Sequence, residues 1–282
     1  MKTYLQCLPC FANQAVNALP MIPENTREAV LRDVMKALSE IDFEIPPPRM
    51  AKVIFDIIKK HTGNIDFYAD ARKKSNEYVL QHLDSFRSII ENSEKPLETA
   101  IKLAIAGNVI DFGAKHDFSD EQIHDNIEAV LSADFADSEI DNLINEIQKA
   151  DKILYIGDNA GEIVFDKLLV ELMPKHKTTF AVRGKPVIND ALMDDARTVG
   201  MTDLVAVIDN GTDVPGTVLE ESSEAFRKTF KEADLVISKG QGNYETLSNV
   251  DKNIFFLLKV KCDVVARDLE LPKNSFVVGR RH

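Results

Sequence analysis

The segment Lys152-Ile-Leu-Tyr-Ile-Gly-Asp158-Asn159-Ala-Gly-Glu162 has the residue types and spacing of a reactive strand tip. An apolar run ends at Ile156, Gly157 allows a tight turn, and Asp158 and Asn159 follow before a helix that begins near Glu162. Two adjacent oxygen ligands at a strand end suit a hard cation such as Mg²⁺ or Mn²⁺. The free N–H groups of the following helix favour an anion such as phosphate. Taken alone, either side chain could simply cap that helix. A second run, Thr178 to Val182, leads into Arg183-Gly-Lys185-Pro186 and then Asn189-Asp190, which places Asp190 within ligand reach of Asp158 if the two strands are neighbours. A third, Asp234 to Ser238, leads into Lys239-Gly240-Gln-Gly242-Asn243, where glycines permit close backbone approach and Lys239 brings positive charge. The spacing is not that of a P-loop. Three such tips on one sheet are hard to explain as three unrelated caps. In the other half, Gly107-Asn108-Val-Ile-Asp111 puts two polar groups on one helical face of an apolar stretch. They either join backbone networks or close the site.

The elements that must position these tips change character along the chain. Up to about Ala150 the apolar spacing is helical, as in Ala29, Val30, Val34, Ala37, Leu38 and Ile41. Pro46, Pro47 and Pro48 interrupt it, and helices are expected again over 50–60, 66–90, 97–106, from Ser119 to about 131, and 138–149. Beyond 150, short apolar strands are expected at 152–156, 178–182, 203–208, 234–238, 253–258 and 261–266. Helices over 160–173, 188–199 and 217–231 alternate with them. Fully apolar strands alternating with helices form a parallel sheet covered on both faces, and such sheets bind ligands at their carboxyl edge. The expected architecture is therefore an α plus α/β chain: a helical subdomain over 1–148 and a three-layer α/β/α domain with a mostly parallel sheet over 149–282.

The 282 residues carry 34 Lys and Arg against 46 Asp and Glu, a formal charge of -12. That sign disfavours nucleic acid as a partner but leaves a small phosphorylated molecule open, because one metal ion and one or two lysines can reverse a local potential. No apolar run reaches the ~18 residues of a membrane span, and the first residues lack a signal-peptide pattern. Three cysteines, Cys7, Cys10 and Cys262, are too few for a disulfide framework and point to the cytoplasm. Cys7-Leu-Pro-Cys10 reads either as a buried turn or, with Cys262, as a second metal site, with redox activity a further alternative. The six histidines show no ligand spacing.

In this order, the motifs Gly107-Asn108-x-x-Asp111, Gly157-Asp158-Asn159-Ala160-Gly161-Glu162, Asn189-Asp190 and Lys239-Gly240-x-x-Asn243-Tyr244 resemble those of the damage-control phosphatases. That family was long catalogued as domain of unknown function number eighty-nine, and the likeness spans almost the whole chain. Cys7-x-x-Cys10 is similar to its archaeal and bacterial branch. The resemblance implies metal ligation by Asp158, Asn159 and Asp190 and a phosphate contact at Lys239. It also implies substrate contacts around Gly240, Asn243 and Glu162, with Asn108 and Asp111 lining the site. The implied reaction is hydrolysis of phosphate monoesters of sugars or other metabolites, supported by Mg²⁺, Mn²⁺, Co²⁺ or Ni²⁺, with water preferred over Asp158 as nucleophile. Around Lys185-Pro186 the spacing departs from the eukaryotic pattern, so neither Lys185 nor Arg183 receives a role. The alternatives are a transferase or dehydrogenase with a nucleotide-type cofactor, against which no G-x-G-x-x-G follows the first strand, a Rossmann-like methyltransferase, which that motif does not exclude, and a non-catalytic metal- or metabolite-binding protein. The oligomeric state is not readable from the sequence.

Overall fold

The computed structural model describes residues 1–63, 65–109, 120–133, 135 and 139–281. Among the described residues, eight α-helices come first: α1 (Leu8–Ala18), α2 (Arg27–Ser39), α3 (Pro47–Thr62), α4 (Ala69–Gln81), α5 (Leu83–Glu91), α6 (Pro96–Val109), α7 (Asp120–Ser132) and α8 (Ile140–Lys149). Strands and helices then alternate: β1 (Ile153–Ile156), α9 (Glu162–Glu171), β2 (Thr178–Val182), α10 (Met193–Thr198), β3 (Ala206–Asp209), α11 (Glu224–Glu232) and β4 (Leu235–Lys239). The chain closes with α12 (Gln241–Leu247), β5 (Ile254–Lys259), α13 (Asp263–Leu269) and β6 (Phe276–Gly279). The strands form one sheet in the order β3-β2-β1-β4-β5-β6, parallel except for the β5–β6 pair.

Alternate residues of each strand face opposite sides of the sheet, and both sides are apolar. Ile153, Tyr155, Phe180, Leu235 and Ile237 pack in one core with α4 to α9, whereas Leu154, Ile156, Ala181 and Val236 pack in the other with α1 to α3, α11 and α12. The change of period near 149 falls between α8 and β1, yet the helices before it divide between the two faces and share both cores with the strands.

Several expected elements differ. The span 66–90 is two helices broken at His82, and 188–199 and 217–231 are helical only over α10 and α11. The expected strand 261–266 is instead the start of α13. Cys262 Sγ accepts from Val265 N at 3.5 Å and caps it, so the Val264-Val265 pair is a helix's buried face and not a strand. The last strand is β6, at 276–279. Among the described residues, no helix is long and apolar enough to cross a membrane.

Candidate active site

β2, β1 and β4 lie side by side, so the three polar tips share the carboxyl edge of the sheet. The sequence runs 3-2-1 one way from β1 and 4-5-6 the other, which places the topological switch between β1 and β4. Beyond the strand ends the β1 and β2 loops pair briefly as a two-rung ladder. Asn159 and Asp190 form an antiparallel bridge, Ala191 N donates to Asp158 O at 2.8 Å, and Ala160 N donates to Asn189 O at 2.9 Å. This brings Asp158, Asn159 and Asp190 onto one cavity of about 360 Å³, walled on the far side by Phe11 of α1 and Pro47, Pro48 and Ala51 of α3. Asn76 of α4 anchors the turn into α9, accepting from Gly161 N at 2.7 Å and donating to Asp195 at 2.7 Å.

The charges beneath this cavity are buried and interlocked. Arg183, 2% exposed, donates through Nε to Asp190 Oδ2 at 2.6 Å, through Nη1 to Thr217 Oγ1 at 3.3 Å and through Nη2 to Asn243 Oδ1 at 3.1 Å. Its Nη2 also lies 3.7 Å from Asp158 Oδ1. Burial, with Glu162 and Asp190 adding repulsion, pushes the Asp158 carboxyl up to about 8, although Arg183 and Lys261 oppose the shift. Burial also raises Asp190 despite its contact with Arg183. A second knot lies deeper. Lys239 Nζ donates to Glu162 Oε1 and Asp166 Oδ1, both at 2.6 Å, and to Ala104 O at 2.8 Å, and Tyr155 Oη donates to Asp166 Oδ1 at 2.7 Å. Burial pushes Asp166 up to about 6. Asn159 connects the two knots, its Nδ2 donating to Asp158 Oδ2 at 2.9 Å and to Glu162 Oε2 at 3.0 Å.

Of the residues singled out in the sequence, Asp158, Asn159 and Asp190 converge on the cavity, and Lys239 does not. Its side chain is 0% exposed and all three N–H bonds are taken by protein acceptors. Here Lys239 is a buried cation paired with two carboxylates, away from the cavity lining. Glu162 is spent on Lys239 and Asn159. Asn243 donates to Gly157 O and Lys239 O and accepts from Arg183 and Thr217, so it staples β1 to β4 and contacts no open space. Gly240, at φ 79°, lies against Asp158, and a Cβ there would collide with Asp158 Oδ2. Gly107 of α6 lets that helix approach Phe165 and Glu162 of α9. Asn108 belongs to α6, but its side chain, like Asp111 as a whole, lies outside the described residues.

The three cysteines do line the same cavity, and all are free thiols. Burial raises the pKa of Cys7, which favours its protonated thiol over the metal-binding thiolate, whereas Cys10 is exposed. Among the described residues, no three His, Cys, Asp or Glu side chains are arranged to hold a metal ion. The expected three-cysteine metal site is therefore not supported. The residues that the sequence did not reveal are Arg183, Asp166, Gln14 and Lys261, the last two lining the cavity. Asp166 left a trace, since Glu162 and Asp166 are four apart and so share one face of a helix that carries Ile163, Val164, Phe165, Leu168 and Leu169.

A mostly parallel sheet, covered by helices on both faces, presents two aspartates and an asparagine to one cavity at its carboxyl edge, the arrangement of an α/β fold that binds its ligand at the strand tips. The chain matches the damage-control phosphatase ARMT1-like domain over residues 3–276 and belongs to that family. It is 37% identical over 288 residues to a damage-control phosphatase of Pyrococcus horikoshii, covering 99% of this chain and 98% of that one. It is 36% identical over 295 residues to an uncharacterized protein of Methanocaldococcus jannaschii, covering 100% and 96%. The crystal structure of a DUF89 family protein from Pyrococcus horikoshii superposes with a TM-score of 0.91 at 35% identity, covering 100% of both chains. Membership of a phosphatase family sets aside the methyl-transfer alternative.

Proposed function

We propose that this chain is a divalent-metal-dependent phosphatase of small phosphorylated metabolites, with the cation at Asp158, Asn159 and Asp190. The observation that carries this reading is the convergence of these three side chains on one cavity, in a chain of this family. The donor set suits the cation. The Asn159 amide nitrogen is spent on two carboxylates, which leaves its oxygen without a donor among the described residues. Two carboxylate groups and one amide oxygen, completed by water, suit Mg²⁺, Mn²⁺, Co²⁺ or Ni²⁺. When bound, such an ion supplies a Lewis acid that offsets charge on the phosphoryl oxygens.

The chain's own residues do the positioning. Arg183 holds Asp190 toward Asp158, and Gly240 leaves the room that the Asp158 carboxylate fills. Lys239 acts through Glu162, which fixes the Asn159 amide. Lys261, on the cavity wall, is the cation placed to meet a phosphate oxygen. Gln14 Oε1 lies buried without a partner among the described residues and is an acceptor suited to a substrate hydroxyl. Attack by water fits this setting better than attack by Asp158, whose carboxylate is pinned between Asn159 and the Gly240 backbone. Trapping of a phosphoenzyme would reverse that preference. Damaged or overflow phosphometabolites, sugar phosphates or related esters, are the intended substrate class, and the free thiols Cys7, Cys10 and Cys262 agree with a cytoplasmic setting. The test is phosphate release from a panel of sugar phosphates and p-nitrophenyl phosphate, with each metal in turn and with EDTA. Turnover that needs metal and stops in EDTA supports the reading, and turnover unaffected by EDTA removes it.

A further inference from the structure

A second, larger cavity of about 640 Å³ lies next to the site and takes no part in the chemistry described above. Both cavities run along α3. Pro47, Pro48 and Ala51 in its first turns wall the site, while Phe55, Ile58 and Lys59 in its later turns wall the second cavity. At 1.5 Å per residue, Pro48 and Ile58 are about 15 Å apart along the helix. Ile188 borders both spaces. It is a β-branched residue at φ 43°, a backbone region such residues avoid, and Arg72 Nη1 holds its carbonyl at 3.3 Å. Only Asn189 separates it from Asp190, two residue steps or about 7 Å of backbone at most.

The chemistry of the second cavity is distinct. Its walls mix apolar and aromatic side chains with charged ones, and Phe55 and Tyr68 are in edge-to-face contact at 6.4 Å. Each of its acids already has a cation: Asp56 pairs with Lys52 at 2.8 Å, Asp213 with Lys59 at 2.8 Å, and Asp66 with Arg72. Lys185, by contrast, is exposed and forms no ion pair with a described residue. Lys60 reaches only Asp33, at 3.7 Å. The lining holds three lysines against three aspartates, and Lys185 is its one lysine without an ion pair to a described residue, in a chain of formal charge -12. Its volume is that of a site for a small organic molecule.

We propose that the second cavity holds the organic body of the phosphoester whose phosphate lies at Asp158 and Asp190, and that this body carries an apolar ring and a second anion. The inference rests on the phosphatase reading and names its substrate class: an extended, doubly anionic phosphomonoester and not a bare short-chain one. Ile188 is then the ridge over which the substrate passes, and its unfavourable conformation is kept because it turns Asn189 and Asp190 into the first cavity.

Two measurements test this on the full-length protein. The first compares kcat/KM for a carboxynaphthyl phosphate and for glycerol 1-phosphate in the parent, Lys185→Glu and Phe67→Ala. The ratio of the two should fall about tenfold or more in Lys185→Glu, the loss of one partly exposed ion pair plus the gain of a repulsion. The second titrates 8-anilinonaphthalene-1-sulfonate, a non-hydrolysable aromatic anion, by fluorescence in the absence of substrate. It should bind one to one, weaken about tenfold in Lys185→Glu and in Phe67→Ala, and be displaced by the aryl ester but not by inorganic phosphate. An unchanged ratio, or probe binding indifferent to both variants, overturns the proposal while phosphatase activity stands. Probe binding as expected with no turnover of any ester removes the phosphatase reading, and the substrate assignment falls with it.

Discussion

Replacing Lys239 with methionine removes the ammonium that lies 2.6 Å from both Glu162 Oε1 and Asp166 Oδ1 and leaves two carboxylates in the core. All three side chains are 0% exposed, so solvent does not screen the loss. Asp166 is already held up at about 6 with Lys239 beside it. Removing one partner of such a buried set costs about 3–5 kcal/mol. For a chain of this size that lowers Tm by about 6–15 °C. The sign of the pH dependence follows from the raised carboxyl. A carboxyl whose folded pKa lies above its unfolded one weighs against the fold when ionised, and that cost grows as pH rises from the unfolded value to the folded one. Loss of the lysine raises Asp166 further, so the deficit should be largest near neutrality and shrink toward about pH 4. The assay is thermal and urea unfolding of the metal-free protein at both pH values. Lys239→Met with Asp166→Asn should regain about 1 kcal/mol or more, because the two sites are coupled. Parent-like unfolding of Lys239→Met, together with weakened competition by inorganic phosphate, would refute this reasoning and restore Lys239 as a ligand contact.

Gly240→Ala should cost about 1–2 kcal/mol from its left-handed backbone, measured by urea unfolding. It should also lower kcat about a hundredfold by displacing Asp158. Arg183→Lys keeps the charge but loses the fork that joins Asp190, Thr217 and Asn243. It should weaken Mn²⁺ binding at least about tenfold by calorimetry. Burial holds the Glu245 carboxyl at about 7, above its ordinary 4.5, so ionising it costs stability as pH climbs between those values. Glu245→Gln should therefore match the parent near pH 4 and gain up to about 2 kcal/mol above pH 7, read from urea midpoints.

The sequence made the carboxyl edge legible because each tip follows an apolar run and ends in a glycine-flanked polar cluster. Asp158, Asn159 and Asp190 needed only the adjacency of β1 and β2 to become one group. The direction of the Lys239 side chain was not legible from its place at a strand tip. Period-two alternation puts it on the same face as Leu235 and Ile237, toward α6 and α9, not out of the strand end. Arg183 follows Val182 at the end of β2, and nothing in its neighbours' types signals that a loop arginine is 2% exposed. The helix at 263–269 escaped notice because a capped two-valine run has no period to distinguish it from a strand. The same limit hid α1, whose apolar face is Phe11, Ala15 and Ala18 behind a proline. Lys261 and Gln14 come to the cavity from opposite ends of the chain, which no local pattern records.

The most direct test measures Mn²⁺ binding and phosphate release in the same samples of the parent, Asp158→Ala and Asp190→Ala. The account predicts one ion per chain and metal-dependent release in the parent, with both lost in either variant while each still unfolds cooperatively. Phosphate release that persists in a folded Asp158→Ala or Asp190→Ala protein, or in the parent stripped of metal, would contradict it.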